Sequence, residues 1–134
     1  MRITRTGDFP AFPGSPDNFS GEVRFTNVYM TDAPGRIVGG TVEFAPGSRT
    51  HWHTHPFGQI LIVTEGTGWT QCEGEDIVEI QAGDVITCPA EVRHWHGATA
   101  ATAMTHIAIA EGINGAYATW LEPVTDAQYL ANTM

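Results

Sequence analysis

Gly47-Ser-Arg-Thr-His51-Trp-His53-Thr-His55-Pro-Phe-Gly-Gln59, continued by Ile60-Leu-Ile-Val63 and closed by Gly66, is the stretch on which the reading of the fold turns. Histidines stand at the alternate positions 51, 53 and 55. In an extended chain every second side chain shares a face. His53 and His55 then project together, and Gln59, Leu61 and Val63 continue along the strand that follows. Two neutral imidazoles side by side on the inner face of a sheet need a common partner. A metal ion supplies one, because imidazole is the commonest protein metal ligand.

On the N-terminal side, Ile37 to Phe44 reads as a strand with Val38, Gly40, Val42 and Phe44 on one face. Glu22 to Met30 reads as another, and Asp32-Ala-Pro-Gly35 as the turn between them. Residues 1–20 carry Pro10, Pro13, Pro16 and Gly14 and read as an irregular arm, with Phe9, Phe12 and Phe19 to bury against a neighbouring surface. Residues 21–134 form the single domain. On the C-terminal side, Glu65-Gly-Thr-Gly68 breaks the apolar run. Trp69 to Cys72 and Asp76 to Ile80 then form a hairpin around Glu73-Gly74-Glu75, and Val85 to Cys88 is a strand ending at Pro89. Ala101 to Ala110 is alanine-rich, but its Thr and Ile content favours a strand, with Thr102, Met104, His106, Ala108 and Ala110 sharing a face. Thr125-Asp-Ala-Gln128 is a capping-box pattern for one short C-terminal helix. Short strands about every ten residues, with fifteen glycines and eight prolines for the turns, indicate an all-β sandwich or barrel.

Length and charge narrow the function classes. The chain has 134 residues, enough for one domain with its own core. A net charge of −9 argues against nucleic acid or an anionic membrane as partner but names no substrate; a small-molecule substrate is the expectation. No stretch approaches membrane-spanning length. The N-terminus lacks the apolar region of a signal peptide, and Cys72 and Cys88 form no C-x-x-C pair or disulfide framework. A cytoplasmic location with reduced thiols is the expectation. The Phe- and Pro-rich arm and exposed sheet edges lead to the expectation of a homodimer or homotetramer.

Two segments carry the chemistry: Gly47-x5-His53-x-His55-x3-Gln59-x6-Gly66 and Gly83-x5-Pro89-x4-His94. This pairing resembles the two sequence motifs of the cupin family, which implies an antiparallel jelly-roll barrel holding one divalent ion on His53, His55, Gln59 and His94. Gln59 stands where the usual family has Glu, Glu91 where it has Gly, and Ala98 where it has Asn. The Gln leaves a neutral ligand set of three imidazoles and an amide oxygen, so the ion keeps its full charge and is the stronger Lewis acid. A narrower resemblance runs from Gly39-Gly-Thr-Val through Arg49 to Thr64, then through His94-Trp-His-Gly-Ala98 and Thr102-Ala-Met-Thr-His106. It is to the bacterial cupin-type hydroxynitrile lyases. That resemblance implies cleavage or formation of cyanohydrins, manganese as the ion, and His106 as the acid–base group beside it. His51 and Ala110 depart from that group, where a small residue and a Gln are usual.

Parity places His96, two residues past His94, near the same mouth, so His106 and His96 are the candidate catalytic pair. Gly40, Val42, Phe44 and Leu61 are expected along the pocket floor, with Gly40 leaving free space. His51 is expected at the entrance, Thr50 with its hydroxyl toward a substrate oxygen, and Ala110 near the pocket. Mn(II) is favoured for the ion, while neutral N and O ligands also accept Fe(II), Co(II), Ni(II) or Zn(II). A metal-dependent oxygenase or isomerase on a cyclic or aromatic metabolite is the alternative enzyme, since one fold hosts many chemistries. A non-enzymatic metal- or metabolite-binding module is the third reading.

Overall fold

In a computed structural model, residues 1–133 are described, and Met134, the last residue of the expected domain, lies outside them. The strands in chain order are β1 (Phe12–Pro13), β2 (Phe19–Ser20), β3 (Val23–Met30), β4 (Ile37–Phe44), β5 (Arg49–Thr50), β6 (His53–Thr54), β7 (Gln59–Cys72), β8 (Val78–Gln81), β9 (Val85–Cys88), β10 (His94–Ala98), β11 (Met104–Glu111) and β12 (Thr119–Trp120). All pairings are antiparallel, in the order β1-β3-β4-β11-β7-β10-β5-β2, with β6, β8, β9 and β12 attached alongside. The sheet curls into the expected all-β jelly-roll barrel.

β7 is the staple of the barrel, and it corrects the sequence reading. The expected break at Glu65–Gly68 does not occur; β7 runs unbroken for 14 residues. Its first half pairs with β11 and β9, its second with β10 and β8. Gly66, at φ 77°, is where the strand turns the corner between the two sheets. A Cβ there would collide with the Ala103 carbonyl, so only glycine fits. Residue composition alone reads such a corner as a turn.

Alternation then sorts side chains to two cores. Inside the barrel, Phe19, Val23, Val42, Phe44, Val63, Ile80, Ala98 and Met104 pack together. Outside β10, Trp52, Trp69, Trp95, Val124 and Tyr129 form a second cluster under the C-terminal segment. The helix α1 (Asp126–Tyr129) starts with the capping box read from the sequence, Thr125 and Gln128 bonding reciprocally. It delivers Tyr129, whose hydroxyl donates to the Ala98 carbonyl at 2.7 Å and whose ring lies under Arg49. Arg49 in turn donates to the Val124 carbonyl and to Asp126.

The arm is less irregular than expected. β1 pairs with β3 and β2 with β5, and Phe19 is buried in the barrel's own core. Phe12 stacks on Phe25 with centroids 5.3 Å apart, closing one side of the barrel mouth. No helix among the described residues is long and apolar enough to cross a membrane.

Candidate metal centre and active site

The barrel encloses a cavity of about 380 Å³. β6 brings His53, the turn after it His55, β7 Gln59, β10 His96 and β11 His106 to its wall. His94 comes in beside His53, since β10 and β6 pair at His94↔His53. Both local alternation and the cross-strand register are needed: β6 and β10 are neighbours only because the sheet closes.

The rings are held in one tautomer by the backbone. His53 Nδ1–H donates to the His51 carbonyl at 2.9 Å, His55 Nδ1–H to the Tyr117 carbonyl at 2.7 Å, and His94 Nδ1–H to the Val92 carbonyl at 3.1 Å. A carbonyl only accepts, so in each neutral ring the proton sits on Nδ1 and the Nε2 lone pair is free. His94 Nε2 then meets Gln59 Oε1 at 3.3 Å. With the amide so turned, two lone pairs face each other, an arrangement a cation resolves. The opposite amide orientation would donate to His94, but its NH₂ has no lone pair to ligate with. His55 Nε2 is buried with no hydrogen-bond partner. These atoms suit a divalent ion.

Electrostatics agree with that reading. Burial, reinforced by the neighbouring His94 and His55, holds His53 well below the ordinary imidazole range. Burial takes His94 to about 4 and also lowers His55. Among the described residues, no Asp, Glu, Lys or Arg side chain lines the cavity. The rings are therefore neutral at pH 7, and a bound cation would meet no carboxylate.

A second histidine pair abuts the first group. His106 Nε2 and His96 Nδ1 are 2.8 Å apart and share one proton. Both rings are buried, and His96 Nε2 and His106 Nδ1 have no partner. Burial lowers His106 to about 4, and burial with the repulsion of His106 and His53 holds His96 well below the ordinary imidazole range. A ring nitrogen from each of His53, His94 and His96 lies within 4.8 Å of the other two. That trio contains His96 where the sequence reading had His55, although by ring centroids His55 is the nearer, 4.9 Å from His53 and 5.4 Å from His94 against 5.2 and 5.7 Å for His96.

Gly40, Val42, Phe44, Thr50 and Ala110 line the cavity as expected. Thr50 Oγ1 accepts the His96 backbone N–H at 3.2 Å, which leaves its own proton free to donate. Two expected pocket residues are not on the wall. Leu61 shares the inward parity but is wholly buried, opposite Ala108 and Ile86. His51 falls between β5 and β6, where the alternation is interrupted; its side chain is buried off the cavity, and its backbone carbonyl holds His53. Gly40 does not leave free space either: a Cβ there would meet Val28 Cγ2 at 3.2 Å. The sequence reading missed Phe12, Phe25, Val28, Tyr117 and Trp120. Trp120 stacks on His53 with centroids 4.6 Å apart. No local pattern points to it, because β12 reaches β6 from the far end of the chain.

Residues 40–109 match the family model described as Cupin domain. Over 129 residues, covering 96% of this chain and 98% of the relative, the sequence is 47% identical to a protein named (R)-mandelonitrile lyase from Granulicella tundricola. A cupin-like protein of Thermotoga maritima superposes with a TM-score of 0.82 at 41% identity, over 89% of this chain and 90% of that one. Another Thermotoga maritima structure, described as a predicted oxalate decarboxylase, shares the fold at 22% identity and a TM-score of 0.70, over 81% of this chain and 96% of that one.

Proposed function

The chain belongs to the cupin family, and on that premise we propose that it is a metal-dependent hydroxynitrile lyase, cleaving or forming cyanohydrins from an aldehyde and HCN. The observation that carries the proposal is the His96–His106 pair, 2.8 Å apart, in an uncharged cavity beside three imidazoles whose Nδ1 protons are tied back to carbonyls. A divalent ion held by His53, His55, Gln59 and His94 would supply a Lewis acid that acidifies a hydroxyl placed against it.

The chain's own residues do the rest. Thr50 donates to the substrate oxygen. His96 accepts the hydroxyl proton at its unpartnered Nε2 while its Nδ1 proton moves to His106 Nε2, so the pair works as one base. As the C–CN bond breaks, its electron pair leaves with cyanide and the oxygen's pair becomes the carbonyl bond. The proton returns through the pair from His96 Nε2–H to cyanide, giving HCN. The lowered basicity of both rings suits a base that must give its proton back. A facial-triad oxygenase lacks its carboxylate in this cavity. The test is to load the protein with Mn(II), add mandelonitrile and follow benzaldehyde. No rate above buffer, across aromatic and aliphatic cyanohydrins, discards the proposal.

Manganese is the ion of this reading, since an amide oxygen among the ligands suits a harder cation than an all-imidazole set. Elemental analysis of the purified protein decides it. Residues 21–134 are the functional domain, with the 1–20 arm covering its mouth. Two free thiols, Cys72 and Cys88, support a cytoplasmic location. The outer face of the barrel supports a homodimer or homotetramer. Ile109 lies between Gly39 and Ile60, and Ile62 between Ile107 and Val85, a stripe without charges across four strands. Ile60 and Val85 on it are 42% and 63% exposed. Light scattering at the mass of one chain overturns that assignment.

A further inference from the structure

β3 pairs with β4 in regular register up to Thr26↔Thr41 and again from Tyr29↔Gly39, so Asn27 and Val28 together face Gly40. Two residues against one is a β-bulge. Asn27 takes φ 50°, the left-handed region that Asn tolerates best among residues with a side chain. In an unbroken strand Asn27 would share the inward face of Phe25, and Val28 would face outward. The bulge reverses that order. Val28 lines the cavity with Phe25, and the Tyr29 ring lies across the outer side of Gly39.

Gly40 is the second half of the device. Val28 Cγ2 and Cα lie 3.2 and 3.5 Å from where a Gly40 Cβ would be, so any side chain at position 40 presses Val28 further into the cavity. The surrounding wall is low and apolar. Ala108 is the register partner of Gly40, and Ala110 that of Val38. His106 is one inward step from Ala108 along β11, about 7 Å. A hydrocarbon group on a carbon that reacts beside the His96–His106 pair therefore has room to extend along Ala108 toward Val28.

We propose that Val28, turned inward by the bulge at Asn27 and admitted by the missing side chain of Gly40, is a specificity-determining residue that limits the hydrocarbon group accepted beside the reacting carbon. The proposal rests on the lyase reading for its kinetic test but not for its geometry. The variants are Val28→Ala, Val28→Leu, Gly40→Ala and the double variant Gly40→Ala/Val28→Ala, each Mn-loaded and checked for folding by circular dichroism. kcat/KM is compared for 2-naphthaldehyde cyanohydrin, mandelonitrile and propanal cyanohydrin.

Val28→Ala should raise the naphthyl-to-phenyl ratio about tenfold, and Val28→Leu should lower it by a similar factor. Gly40→Ala should lower it a few-fold, and the double variant should recover it. Propanal cyanohydrin should change less than about twofold throughout. An unchanged ratio in both Val28 variants, or an equal loss on all three substrates, overturns the proposal. If the wild type turns over no cyanohydrin, the lyase reading fails by itself. The relative binding of 2-naphthaldehyde and benzaldehyde, measured by ligand-detected NMR, then decides: a tenfold gain for naphthaldehyde in Val28→Ala supports the role of Val28, and no change overturns it. Should Val28→Ala not fold, Val28→Leu carries the same decision with the opposite sign.

Discussion

His94 and His96 leave β10 toward the cavity while Trp95, between them, leaves it toward the C-terminal segment, and the two sides of this one strand differ in what they do for the molecule. On the outer side Trp95 is fully buried, packs against Tyr129, and donates its indole N–H to Gln71 Oε1 at 2.8 Å. Its one side-chain polar atom has a partner, and Arg49 Nε, beside Tyr129, is the atom of this side buried without one among the described residues, so this side adds stability at a smaller outstanding cost. On the inner side, buried nitrogens of His55, His96 and His106 have none, and an unpaired buried polar atom costs about 1–3 kcal/mol. The inner face is destabilising by itself, and the outer face offsets it. The lesson is a division of labour at a spacing of one residue: strand alternation lets a site carry strain because its back is packed.

Breaking the inner side should have the largest effect, and on function. His94→Ala should remove bound metal and lower cyanohydrin cleavage on the order of 10⁴-fold, while the denaturant midpoint of the metal-stripped protein stays close to that of the wild type. Metal analysis and a urea titration check the two halves. Breaking the outer side should do the reverse. Trp95→Ala should cost about 4 kcal/mol of unfolding free energy, seen as a lowered urea midpoint, with metal content per folded molecule retained. If His94→Ala destabilises as much as Trp95→Ala, the division between the faces is wrong.

Acid should sharpen the contrast. His94 and His106 fall from the ordinary imidazole value to about 4 because burial disfavours their charged forms. The unfolded chain then takes up protons near pH 6.5 that the folded chain refuses until about pH 4. Stability of the metal-stripped protein is fully present above pH 6.5 and should decline as pH falls through that window. Chemical denaturation at pH 7, 6, 5 and 4 measures it. In His94→Ala the decline should be shallower, and in Trp95→Ala its slope should match that of the wild type.

The smallest effect concerns how β10 is launched. Glu91 has φ 62° and its N–H donates to the His55 carbonyl at 2.9 Å. It occupies the second-motif position where glycine is usual, and the geometry shows why glycine suits it. Glu91→Gly should relieve left-handed strain worth about 1–2 kcal/mol but loosen the unfolded chain by about 0.4–1 kcal/mol. The net gain is about 0–1.6 kcal/mol, measurable by calorimetry, with both faces of β10 unchanged.

Much of this was legible in the chain. The His53-x-His55 alternation, Gln59, and the inward series of Met104, His106, Ala108 and Ala110 depend only on the two-residue repeat of a strand, and the structure brings His53, His55, Gln59 and His106 to one cavity. The capping box at Thr125 is equally local. Parity misled where the repeat is interrupted. His51 lies in the gap between β5 and β6, and Val28 in a bulge, so one faces away from the cavity and the other into it, against simple alternation. Leu61 kept its parity but lies where the barrel is already filled.

What the amino-acid order determined by itself was the set of elements and the face on which each donor stands, because a strand's alternation is written in neighbouring residues. Only the tertiary structure decided which donors meet. The pairing of β6 with β10, the corner at Gly66, the Tyr117 carbonyl behind His55, the Trp120 ring on His53 and the inward turn of Val28 all join segments far apart in the chain or shift the count by one residue. Contacts of that kind arise from closure of the sheet, which no local pattern encodes.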